Sequence, residues 1–174
     1  MHPRTTELLR YIDEQAGELR AAFESVPDSH RDVSPAPGRW SAAQVVHHVV
    51  IVERLVAQRV RGLIEQAKSL QPEHDASSIL EILQPHRMTL RTRRIVTSSG
   101  AEPRETNAAG VWTDFEETRR TFNAVVASGD GLQLGAVSAP HPALGELSGY
   151  GWIAFAGAHA ARHAAQIRED GRST

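Results

Sequence analysis

Residues 151–167 read GWIAFAGAHAARHAAQI, and the spacing within this run decides the fold. Trp152, Phe155, His159, His163 and Gln166 recur every three or four residues, so they share one face of a helix. That helix is expected over 148–169. The small residues between them would let a neighbouring helix approach closely. His159 and His163, four residues apart, can both point at one metal ion. They lie on the stripe that carries Trp152 and Phe155, which points inward, where an imidazole without a partner is costly.

A second informative run, GRWSAAQVVHHVV, covers residues 38–50. Ser41 is a good helix N-cap, and Gln44 three residues later completes a capping-box pattern. From there Val45, Val49, Val52, Val56, Val60 and Leu63 mark an apolar stripe on a long helix. Gly62 weakens that helix by about 1 kcal/mol relative to alanine. His48 shares a face with Val45, Val52 and Leu55 that reads as buried, whereas His47 is rotated by about 100° toward solvent. With the pair at 159 and 163, His48 makes a three-histidine set with an open coordination position. A catalytic metal is held in this way, while a structural site normally has four protein ligands.

The remaining segments complete a bundle. Leu8, Leu9, Ile12, Leu19 and Phe23 predict a first helix over 5–23, and PDSHRDVSPAPGR, with three prolines and a glycine, breaks it. Residues 112–126 predict another helix, apolar at Trp112, Phe115, Phe122, Val125 and Val126. Between them, residues 71–110 suggest one short helix at 78–83 and an extended excursion over the bundle surface. The stretch SGDGLQLGAVSAPHPALGEL reads as a loop. The expected architecture is all-α: a four-helix bundle with long loops and a short extra helix, forming a single domain over residues 1–174.

Composition narrows the function. The chain has 174 residues, 40% hydrophobic and 23% charged, which suits a soluble globular protein. It has no cysteine, so any metal must be held by His, Asp, Glu or solvent. The formal charge of −2, with Lys68 the only lysine, offers no global positive field for nucleic acid. No run approaches the roughly 20 apolar residues that span a bilayer, and MHPRTTELLR lacks an apolar signal core. The expectation is a cytoplasmic protein acting on a small-molecule substrate, without nucleic-acid or membrane partners. Apolar faces on so small a bundle are also compatible with a homodimer.

The segment Trp40-Ser41-x-x-Gln44-Val45-Val46-x-His48 resembles the second-helix motif of the DinB-like superfamily, which includes the YfiT-like metal-dependent enzymes. The segment His141-Pro142-x-Leu144-Gly145-x-Leu147, followed by Trp152 and His159-x-x-Arg162-His163-x-x-Gln166-Ile167, resembles that superfamily's final helix. Both motifs occur in the family order. The resemblance implies a four-helix bundle holding a divalent metal, zinc or nickel, through His48, His159 and His163. Its spacing from the tryptophan selects His48 over His47. It further implies either a hydrolase or an S-transferase that uses a low-molecular-weight thiol as cosubstrate. The alternative is a non-catalytic metal-binding bundle serving in stress response or interaction.

Several other residues bear on that choice. Three neutral imidazoles leave an ion its full charge, which suits activation of either water or a bound thiol. With no cysteine in the chain, such a thiol must come from outside. No general base is evident, because Glu53 is rotated away from the His48 face. Glu146 and His141 could sit at the bundle mouth, although an ordinary loop role is the simpler reading. Gln166 could orient an imidazole or bond elsewhere in the core. Trp40 reads as packing at the start of the second helix rather than as a site residue. Arg87, Arg91 and Arg94 would share a helical face that could attract an anion, with a solvated surface as the default.

Overall fold

The computed structural model describes residues 1–89, 99–103 and 106–171. Each long helix starts at a cap its own sequence supplies. Helix α1 (Pro3–Glu24) begins with proline at its first turn, and the His2 ring accepts from the Arg4 amide. Helix α2 (Ala42–Ala67) carries the complete capping box. The Gln44 amide donates to Ser41 Oγ at 3.2 Å, and the Ser41 amide donates to Gln44 Oε1 at 3.0 Å. The short helix α3 (Ile79–Leu83) is held by α1, since the Ile79 amide and the Ser78 hydroxyl both donate to the Glu7 carboxylate.

Helix α4 (Ala108–Ser128) starts four residues before the expected position, because the Asn107 side chain caps it by accepting from the Gly110 amide at 2.8 Å. Strands β1 (Ser138–His141) and β2 (Gly145–Ser148) then pair antiparallel, Ser138 opposite Ser148 and His141 opposite Gly145. Gly145 closes the turn at φ +76°, a region that favours glycine. This hairpin corrects the expectation of a loop. Four-residue strands containing Pro140 are too short and too proline-interrupted to show a period of two. Helix α5 (Gly149–Asp170) follows directly, with Ser148 as its cap. The fold is mostly helical, a four-helix bundle with one small hairpin. No helix among the described residues is long and apolar enough to cross a membrane.

In the bundle, α5 lies along both α1 and α2, and α2 lies along α4. The α1–α5 approach is close at Gly157. A Cβ there would stand 2.5 Å from Tyr11 Cε1, so the aromatic ring occupies the space any side chain would need. Burial in this contact pushes the Tyr11 phenol up to about 12.

Two apolar clusters fill the interior. One gathers Leu8, Ile12, Val60, Leu63, Phe122 and Ile153; the other gathers Leu19, Phe23, Val46, Val50, Phe115 and Ile167. Between them in sequence on α2 and α4 lies an ion pair. Arg119 donates to Glu53 at 2.6 Å and, through its other terminal nitrogen, to the Ile12 carbonyl at 2.9 Å. Glu53 is 2% exposed and Arg119 6%. Burial pushes the Glu53 carboxyl up to about 7, against the opposing pull of Arg119.

A buried pair of this kind is costly to break from one side, because the remaining charge has no water. Arg119→Met is expected to destabilise the protein by about 3–5 kcal/mol, measured by urea unfolding. Glu53→Leu combined with Arg119→Met should recover most of that loss. Equal destabilisation by the single and double variants would contradict this account of the pair.

Candidate metal centre

His48 comes from α2, and His159 and His163 from facing positions on α5. The three side chains each offer a ring nitrogen, and these atoms lie within 4.8 Å of one another. Ring centroids stand 5.1 Å apart for His48 and His159, 4.8 Å for His48 and His163, and 4.5 Å for His159 and His163. His48 and His163 are buried, and His159 is half-buried.

Two neighbours define which nitrogen faces the cluster. His48 Nδ1 lies 2.7 Å from the Ala101 carbonyl oxygen. A carbonyl can only accept, so Nδ1 carries the proton and Nε2 presents its lone pair. His163 Nδ1 lies 2.9 Å from Gln166 Oε1, and donation to that oxygen leaves its Nε2 as a lone pair too. The Nε2 atoms of His163 and His159 face each other at 3.2 Å. Lone pairs that converge so closely in a desolvated place need a proton or a cation between them. This donor set fits a divalent ion with room for further ligands.

The electrostatics agree. Burial holds His48 and, more strongly, His159 below the ordinary histidine range, with further lowering of His159 from His163, His48 and Arg162. The unprotonated form is the one that can bind a metal.

The cluster opens into a cleft of about 1280 Å³ among the described residues. Trp152 and Phe155 of α5 line it with Val52 and Leu55 of α2, and the β1–β2 hairpin forms another wall. Trp152 is tied to the hairpin by donation from its Nε1 to the Ala139 carbonyl at 3.1 Å.

Several sequence expectations meet this geometry directly. Gln166 does contact an imidazole. His47 is only half-buried, is not part of the cluster, and has no hydrogen-bond partner for its buried Nδ1 among the described residues. Leu55 is 50% exposed and lines the cleft, which corrects its assignment to a buried face: that side of α2 faces an open space, not the core. Trp40, read as mere packing, in fact lines the cleft and covers the His48 ring at a centroid distance of 5.0 Å. His141 lines the cleft against Phe155 and Trp152, whereas Glu146 is exposed and accepts from the Ser138 hydroxyl across the hairpin. Glu53 faces the opposite side, toward Arg119. Arg91 and Arg94 lie outside the described residues, and Arg87 is exposed.

Two contributors had no signal in the sequence. Ala101 acts through its backbone carbonyl, and Glu102 beside it is the sole carboxylate that lines the cleft among the described residues.

A profile of the DinB superfamily matches residues 11–167. The chain belongs to the DinB superfamily. A solved structure, TT2238, described as a four-helix bundle protein, is similar in fold. It shares 19% identity, with a TM-score of 0.61 over 95% of this chain and 98% of that one. No curated protein matches the chain. Membership in the DinB superfamily and the three-histidine group are both compatible with metal binding.

The lowered histidines set a pH response in the metal-stripped protein. Between their folded values and the ordinary 6.5, the unfolded chain binds more protons than the folded one, so acidification below 6.5 favours unfolding. The Tm of the stripped protein should therefore fall more steeply from pH 7.5 to 5.5 than that of a stripped His48→Ala/His159→Ala variant. The raised Glu53 carboxyl acts with the opposite sign, but equally in both proteins. Parallel slopes would rule out the assigned proton linkage.

Proposed function

We propose that this DinB-superfamily protein is a metal-dependent enzyme acting on a small-molecule substrate, with His48, His159 and His163 holding a divalent ion. The observation that carries the reading is the convergence of three imidazole side chains, each with a ring nitrogen within 4.8 Å of the others, in the wall of an open cleft. Imidazole donors suit zinc and nickel. A divalent ion there would lower the pKa of a water or thiol that it binds and polarise a substrate carbonyl. The reaction class is hydrolysis or S-transfer from a low-molecular-weight thiol, supplied from outside because the chain has no cysteine.

The surrounding residues have separable roles in this reading. The Ala101 carbonyl and Gln166 Oε1 hold the rings of His48 and His163 in the tautomer whose Nε2 carries the lone pair. Trp40 screens the His48 ring from water on one side. Trp152 and Phe155 provide an apolar wall for the substrate. Glu102, a carboxylate lining the cleft, would serve as a proton acceptor.

Elemental analysis of untagged protein tests the ligand set. About one zinc or nickel per chain is expected, and loss of most of it in His48→Ala, His159→Ala and His163→Ala. Gln166→Ala should retain the site but weaken metal affinity by roughly 10–100-fold. Stoichiometric metal in any of the three histidine variants would overturn the assignment. A metal-loaded protein inactive in both hydrolysis and thiol-transfer screens would point instead to a non-catalytic metal-binding bundle.

A further inference from the structure

The cleft extends well beyond the histidines. His48, Val52, Leu55 and Arg59 follow one another on α2 at spacings of four, three and four residues, and all four line it. At a rise of about 1.5 Å per residue, the eleven steps from His48 to Arg59 correspond to roughly 16 Å along the helix axis. The middle of that span is apolar.

The opposite wall is a continuous aromatic track. The rings of His159 and Phe155 stand 5.4 Å apart, and those of Phe155 and Trp152 6.0 Å apart. The Arg59 guanidinium lies 5.8 Å from the Trp152 ring centroid, at the far end of the track. The charges along the cleft are unlike one another. Arg39 is neutralised by Asp170, whereas Arg59 has no carboxylate partner among the described residues. A cation held over an aromatic face keeps its charge and its outward N–H groups available to a second partner.

We propose that the cleft takes an elongated substrate whose reactive group lies at the histidine cluster and whose far end carries an anion bound by Arg59. An apolar or aromatic segment joins the two, lying between Val52 and Leu55 on one side and Phe155 and Trp152 on the other. The identity of the reacting end rests on the metal-centre reading; the anion subsite stands on the placement of Arg59.

Two probes of one length separate charge from apolar contact: decanedioate, and the decanediol bearing a hydroxyl at each end. Calorimetric titration of the full chain, with metal content measured in the same samples, should show both binding. Arg59→Met should weaken decanedioate by about threefold to fivefold, the scale of a partly exposed ion pair, and leave the diol unchanged. Arg59→Lys should retain most of the affinity for the dianion, and added salt should shrink the difference between probes. Leu55→Asp, at an exposed position, should weaken both probes. Equal binding of decanedioate to wild type and Arg59→Met would overturn the proposal. Equal weakening of both probes would do the same, by reducing Arg59 to packing on Trp152, as would failure of the wild type to bind either. Absent metal with the Arg59 dependence intact would overturn the metal centre alone. Retained metal without that dependence would overturn the anion subsite alone.

Discussion

Three helices meet at the buried guanidinium of Arg119. It projects from α4, donates to the carboxylate of Glu53 on α2, and donates again to the Ile12 carbonyl on α1. An ion removed from water to this extent tolerates little displacement of its partners, since every lost hydrogen bond leaves a desolvated charge. The pair therefore sets the register of α1, α2 and α4 in a way that interchangeable apolar side chains do not. Glu53 and His48 lie five residues apart on α2, so holding one toward α4 turns the other toward α5. The ion pair on one side of the helix orients the imidazole on the other.

Helix α5 is positioned by a different kind of contact. Its glycines and alanines present little volume, and the Tyr11 ring rests directly over Gly157. Close packing on that side leaves Trp152, Phe155, His159 and His163 on the side facing α2. The candidate metal centre is then a product of two rigid approaches, one polar and one apolar, and neither involves the imidazoles themselves. The hydrogen bonds from His48 to Ala101 and from His163 to Gln166 add the last element, the choice of tautomer.

Much of the arrangement is legible in the sequence because it is local. The long helices follow from apolar periodicity, and the Ser41–Gln44 capping box is complete within four residues. The pairing of His159 with His163 is a property of one helix turn. The hairpin is harder to read, since two strands of four residues carry too few alternations to stand out beside Pro140 and Pro142. Arg59 has a signal that is easy to overlook: it continues the spacing of His48, Val52 and Leu55. The apolar stripe through Val49, Val56 and Val60 lies beside it and draws the reading toward the core. Trp40 and Glu102 are less accessible still, because their roles depend on which distant segment each one meets.

The sequence by itself determined the long helices, the Ser41–Gln44 capping box and the candidate imidazole donors, since hydrogen bonding and side-chain periodicity act over a few residues. Only the tertiary structure decided that the His48 side of α2 faces a cleft rather than the core. The same long-range packing brought the Ala101 carbonyl to His48, laid Trp40 over its ring, and aligned Arg59 with Trp152. Such contacts join segments tens of residues apart, and the free energy that selects them comes from burial summed over the whole bundle rather than from any local pattern.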